Sequence, residues 1–202
     1  MDHAATIEPV AVACHDVHLG EVAPGEDVVV IGGGPIGLLV ALVARLAGAN
    51  VLLSEINPFR VALARELGLE AVNPNETDLA ALVEERTDGK GAEVVFEVSG
   101  SPAGAETMTE LPRTRGRIVV VAIFATAPKV DLFRFFWREL QLRGARVYEP
   151  QDFEKAIGLV ASGALPLDRL ISARRPLAEV QSAFEELESS AKLMKVLIDT
   201  QS

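Results

Sequence analysis

The segment Gly32-Gly33-Gly34-Pro35-Ile36-Gly37 fits the pattern G-x-G-x-x-G, and the carboxylate of Glu55 follows it by about 20 residues. Each glycine answers a separate demand: Gly32 permits a tight turn, Gly34 lets backbone approach a pyrophosphate, and Gly37 lets a helix sit close to a sheet. The free N–H groups and partial positive charge of a helix start, here Pro35-Ile36, attract phosphate. A carboxylate at the end of the next strand accepts hydrogen bonds from ribose hydroxyls and repels an additional 2′-phosphate, so the pairing of loop and Glu55 reads as a site for NAD rather than NADP. The plainer readings are a glycine-rich turn and a solvated carboxylate. Arg60 reads either as a cap on the adenosine side or as a surface arginine. A methyltransferase loop would place an acidic residue in or just before the glycines, where Val30 and Ile31 stand.

Such a loop works only between a strand and a helix, and the flanking pattern supplies both. Val28 to Ile31 is a continuous apolar run, as in a strand buried on both sides. Ile36, Leu39, Val40 and Val43 then recur at helical spacing, up to Gly48. The alternation continues with strands at Val51 to Leu53, Glu70 to Asn73, Val94 to Phe96 and Arg117 to Ala122, and a sixth, edge strand at Leu142 to Tyr148. Helices between them start at Asn57-Pro58, Thr77 and Ser101-Pro102, and a short one covers Leu132 to Leu140. The expected fold is α/β, a doubly wound parallel six-stranded sheet of the NAD-binding Rossmann type with a C-terminal helical and strand tail. Three parts are expected: a connecting helix in 1–22, the dinucleotide-binding domain in 23–150 and a C-terminal return segment in 151–202.

Composition narrows the function. The 202 residues are 49% hydrophobic and 24% charged, the balance of a globular chain with a sizeable core. Nineteen basic residues against 29 acidic ones give a net charge of −10, which argues against nucleic acid and anionic membrane as partners. The acidic Met1-Asp2-His3 start does not resemble an export signal, and a cytoplasmic address is expected. A single cysteine, Cys14, and three histidines, His3, His15 and His18, make an all-protein Cys/His zinc site improbable. Cys14 and His15 are adjacent on a helical stretch and point about 100° apart, which argues against a nucleophilic dyad.

Several motifs in order carry a family resemblance. Glu8-Pro9-Val10-Ala11-Val12-Ala13-Cys14-His15, the loop Gly32 to Gly37, and Ser54-Glu55 with Arg60 resemble the zinc-type medium-chain dehydrogenases of the alcohol dehydrogenase family. The polyol branch of sorbitol, threonine and butanediol dehydrogenases is the most similar. Phe96-Glu97-Val98-Ser99-Gly100 resembles its fourth-strand motif and Gly116 to Val121 its fifth strand. Arg138-Glu139-Leu140 with Gly144, Leu170-Ile171-Ser172 with Pro176-Leu177, and Lys195 to Ile198 extend the match over nearly the whole chain.

The resemblance implies an NAD-dependent oxidoreductase that moves hydride between a secondary alcohol and NAD. It implies that the backbone near Val98, Ser99, Ala122, Ile123 and Phe124 borders the nicotinamide, although Ile123 and Phe124 also read as ordinary apolar packing. It further implies a homo-oligomer paired through the sixth-strand edge, Leu140 to Tyr148. The cluster Phe133, Phe135, Phe136 and Trp137 reads as packing or a contact with a second domain rather than a cofactor cage. The family's catalytic zinc ligands, in a GroES-like N-terminal domain, have no counterpart in the sequence; Glu8 matches a single glutamate near that zinc. The isolated chain is therefore expected to bind the dinucleotide without catalysing, to hold no zinc, and to meet its alcohol substrate only with the missing domain. A stand-alone nucleotide-binding or oligomerisation module, or a fragment of a zinc-independent reductase, is the alternative. The family often has an arginine directly before the aromatic residue on the sixth strand, whereas Arg146 is separated from Tyr148 by Val147 and, by strand alternation, is expected to point to the opposite face; Ala173 stands where a histidine is common.

Overall fold

The computed structural model describes residues 2–201. Six parallel strands form one sheet: β1 (Asp27–Ile31), β2 (Asn50–Ser54), β3 (Glu70–Val72), β4 (Ala92–Glu97), β5 (Pro112–Val120) and β6 (Gln141–Gly144), in the order β3-β2-β1-β4-β5-β6. The order reverses between β1 and β4. At such a switch point the loops leaving two neighbouring strands diverge to opposite faces and open a crevice.

Period-two alternation divides the core. Val28, Val30, Leu53 and Phe96 face one side, where they meet α1 (Ile7–Leu19), α2 (Pro35–Leu46), α3 (Pro58–Glu66) and α7 (Pro150–Ala161). Val29, Ile31, Leu52, Val95 and Ile118 face the other, over α4 (Leu79–Arg86) and the end of α5 (Pro102–Thr107). Each fully buried Val or Leu contributes about 1.5–3 kcal/mol, so both faces are held by many modest terms. The N-terminal helix α1 is part of this core. Val10, Ala11, Ala13 and Cys14 are wholly buried, and α1 packs between α2 and α7.

The helix starts follow local chemistry. Asn57 accepts hydrogen bonds from the backbone N–H of Phe59 (2.9 Å) and Arg60 (3.3 Å), with Pro58 in the first helical position, and Ser101 accepts from Gly104 N (2.9 Å). α4 begins at Leu79 rather than Thr77, because Asp78 caps it through Ala81 N at 3.0 Å.

Three elements differ from the sequence expectation. β5 runs from Pro112 to Val120, and the backbone N–H groups of both Val121 and Ala122 then donate to the Glu97 carbonyl, which ends the ladder. α6 covers Leu132–Arg138 and stops because Glu139 adopts φ +51°. β6 is limited to Gln141–Gly144; Ala145 N still donates to the Val120 carbonyl at 2.9 Å, but with Val147 at φ +63° residues 146–148 leave the ladder. Arg146 and Tyr148 therefore lie beyond the strand, and strand alternation does not set where Arg146 points.

The tail adds a separate two-stranded parallel sheet, β7 (Ile171–Pro176) with β8 (Lys195–Asp199), and α8 (Val180–Ser189) connects them. No helix among the described residues is long and apolar enough to cross a membrane.

Candidate functional site: a crevice at the strand ends

The glycine loop leaves β1 at the switch point. Gly32 adopts φ +102°, and a Cβ there would lie 2.8 Å from the Ser99 backbone nitrogen. At Gly37 a Cβ would lie 1.9 Å from the Gly32 carbonyl oxygen, so α2 rests directly on the turn. Gly34 is different. It is the extended cap residue of α2, and a Cβ there meets only the Arg60 guanidinium, at 3.8 Å. Backbone at Gly34 is thus open to a ligand. No side chain caps α2, which leaves its first-turn N–H groups to solvent or an anion.

Glu55, at the tip of β2, is buried and held from two sides. One carboxylate oxygen accepts from Gly33 N at 2.7 Å and the other from Asn57 N at 2.8 Å. The Arg60 guanidinium lies 3.7 Å from the first. The Arg60 Nε is shielded and has no hydrogen-bond partner. The sequence pointed to Glu55 and Arg60 but not to Asn57, whose cap and Pro58 signal was read only as a helix start. It did not reveal that Gly33, a nominally free position of the motif, is the residue packed against Glu55.

A cleft of about 680 Å³ joins these groups, within the range of small-molecule sites. Gly32, Gly34, Glu55, Arg60, Val98 and Ser99 all line it. Pro35, Ile36 and Gly37 form the start of α2 behind it. Ala122, Ile123 and Phe124 sit outside that lining, in the loop after β5. Their loop abuts the β4 loop, since a Cβ on Gly100 would come 3.0 Å from the Ile123 carbonyl. Ile123 is almost fully exposed.

Glu97 closes the other side of the switch point. Its side chain is fully buried, and one oxygen accepts from Ser99 N (3.0 Å), Gly100 N (3.2 Å) and the Ser99 hydroxyl. Burial raises its pKa above the ordinary 4.5, while the Ser99 and Gly100 donors pull it back. The ionised form is thus disfavoured in the folded chain, and the stability that depends on the neutral form is lost as pH climbs from about 4.5 through the raised value. Glu97→Gln cannot ionise. The melting temperature of the variant minus that of the parent should increase as pH is raised from the acid range toward neutrality. A constant difference across that range would contradict the assignment.

Cys14 and His15 do not form a dyad. Burial raises the Cys14 thiol to about 11, which keeps it protonated, and the His15 Nδ1 pairs with Asp152 at 2.7 Å. Asp152 lies 137 residues away in the chain, and no local signal connects it with His15.

The pattern of the zinc-binding dehydrogenases matches residues 35–162. A 2-dehydro-3-deoxy-L-galactonate 5-dehydrogenase of Pseudoalteromonas atlantica is 52% identical over 199 residues, 98% of this chain and 58% of the relative. A 2R,3R-butanediol dehydrogenase from Bacillus subtilis superposes with a TM-score of 0.89 at 30% identity, covering 96% of this chain and 56% of that one. A structure from Sinorhizobium meliloti solved with NADP bound gives a TM-score of 0.90 at 32% identity, over 97% of this chain and 58% of that one. The chain thus spans somewhat more than half the length of the relatives it matches.

Proposed function

The chain belongs to the zinc-binding dehydrogenase family, and from that premise we propose that its cleft binds a nicotinamide dinucleotide. The observation that carries this reading is the conjunction at the switch point of an open Gly34 backbone, an uncapped α2 and a preset Glu55 carboxylate. Gly34 and the first turn of α2 would receive the pyrophosphate. Glu55 would accept the hydroxyls of the adenosine ribose through the lone pairs not used by Gly33 and Asn57. The Arg60 guanidinium, which lines the cleft 3.7 Å from the Glu55 carboxylate, supplies donors beside it. Val98 and Ser99, held by Glu97, would flank the nicotinamide end, with Ala122, Ile123 and Phe124 on the adjoining loop.

When bound, the coenzyme supplies hydride transfer to or from a carbon bearing oxygen. The protein's own part is to bind, orient and exclude water. The buried carboxylate of Glu55 favours NAD, because a 2′-phosphate would meet its negative charge. The substrate class we infer is a secondary alcohol on a polyol or sugar-acid chain, in keeping with the name of the relative from P. atlantica. The catalytic zinc implied by the family name finds no ligand set around Glu8, the residue that the resemblance places near it. Glu8 is exposed in the first turn of α1, and among the described residues it belongs to no group of three potential ligands. No step through a catalytic metal follows from these residues.

Titration with NADH and, separately, NADPH tests the reading, followed by nicotinamide fluorescence and by quenching of Trp137, the single tryptophan. Saturable binding with preference for NADH is expected. Equal or stronger binding of NADPH would refute the role of Glu55, and no binding of either would refute the site.

The same proposal includes self-association. β6 is the outer strand of the sheet, and Leu142 on it and Phe133, Phe136 and Trp137 on α6 are exposed. An open edge beside an apolar surface favours pairing of two copies. Light scattering should give at least a dimer, and a monomer would count against the edge.

A further inference from the structure

One group of side chains able to share a metal ion occurs among the described residues, and it lies at the junction of α1 and α7. His15 and His18 are three residues apart, hence on one face of α1, and Asp152 stands in the first turn of α7. One donor atom from each of the three lies within 4.8 Å of the others. The geometry points to a site for a divalent cation of the zinc class, with two imidazoles and one carboxylate from the protein and water completing the shell.

The two histidines approach different oxygens of the Asp152 carboxylate. The His15 Nδ1 is 2.7 Å from Asp152 Oδ2, a hydrogen bond. His18 Nδ1 is 3.4 Å from Oδ1. Two ligands on a tetrahedral ion with bonds near 2.0–2.2 Å stand roughly 3.3 Å apart. Oδ1 already has that spacing from His18 Nδ1, whereas Oδ2, the oxygen that His15 Nδ1 approaches, would have to open by about half an ångström to serve as the ligand atom.

The surroundings also suit a cation. Asp152 is fixed from behind, since its Oδ2 accepts the Glu149 backbone N–H at 3.0 Å in a capping box. Such outer contacts hold a ligand in orientation. Asp16, between the two histidines, is buried, and its Oδ2 has no hydrogen-bond partner. Burial and the nearby Asp152 push the Asp16 carboxyl up to about 7, so two carboxyl groups with little access to water crowd a spot that a divalent ion would relieve. The C-terminal turn of α1, which carries His18, adds the negative end of a helix dipole. The side chain of His18 is 57% exposed, which provides an entry path. On binding, the proton shared by His15 and Asp152 passes to solvent and both imidazoles coordinate as neutral ligands. The ion would then tie the N-terminal helix to the start of the C-terminal segment.

Zinc, and cobalt as a spectroscopic reporter, would be titrated into the tag-free full chain after stripping with EDTA. The expected result is one equivalent bound, visible cobalt absorption bands, and a melting temperature raised by zinc and restored by EDTA. His18→Ala should weaken uptake by at least about a hundredfold and abolish the thermal shift, and His3→Ala should change neither. Asp152→Asn can disturb the α7 cap, so the exposed His18 position decides. Failure to bind either ion saturably, or uptake undiminished in His18→Ala, would overturn the site.

Discussion

Gly37→Ala is expected to lose the native fold or to be destabilised by more than about 4 kcal/mol, the tail of the distribution for single substitutions. The added methyl would stand 1.9 Å from the Gly32 carbonyl oxygen, far inside contact distance. That oxygen is backbone and cannot rotate aside. Gly32 is itself held at φ +102° against the Ser99 backbone. Relief requires α2 to lift from the sheet, and α2 carries Leu38, Leu39, Val40 and Leu42, all almost completely buried. Urea unfolding followed by circular dichroism measures the effect, and a wild-type midpoint would contradict it. Gly34→Ala is the control from the same loop. With only Arg60 at 3.8 Å to meet the methyl, it should fold with nearly unchanged stability. Its loss should appear in NADH affinity, because the methyl occupies the space that the pyrophosphate needs.

Glu55→Gln is expected to weaken NADH binding by ten- to a hundredfold and to narrow the preference over NADPH. Hydrogen bonds to an ionised partner are roughly twice as strong as neutral ones, and each factor of ten is about 1.4 kcal/mol. The substitution keeps the shape of the side chain but replaces one acceptor by a donor. Glu55 uses both oxygens, one for Gly33 N and one for Asn57 N. A glutamine amide cannot accept at both ends, so one buried N–H faces another donor, at a cost of about 1–3 kcal/mol. A fall in stability of that size should accompany the loss of affinity. Circular dichroism separates the two effects, because a folded variant with unchanged NADH affinity would show that the carboxylate does not read the ribose.

Contacts between near neighbours in the chain were legible in the sequence. The caps at Asn57-Pro58 and Ser101-Pro102 depend on atoms two or three residues apart, and both stand where the residue types require. The buried strands announce themselves through unbroken β-branched runs, and the glycine spacing locates the turn, since only glycine tolerates the approach at Gly32 and Gly37. Alternation of strand and helix leaves few topologies for a parallel sheet, and the structure selects the order β3-β2-β1-β4-β5-β6 among them.

Pairings between distant segments were decided by the tertiary structure. Nothing near β6 announces that the strand stops at Gly144, because its length depends on how far β5 extends beside it and on the left-handed turn at Val147. Glu97 was visible only as a letter in a motif; its burial, and its hold on the Ser99–Gly100 loop, arise from packing β4 between β1 and β5. The hold of Gly33 on Glu55 depends on strands β1 and β2 lying side by side in register. The meeting of His15 and His18 with Asp152 required α1 and α7, far apart in the chain, to pack on one face of the sheet. Local geometry is encoded by neighbouring residue types, whereas contacts across such separations exist only after the whole core has chosen its arrangement.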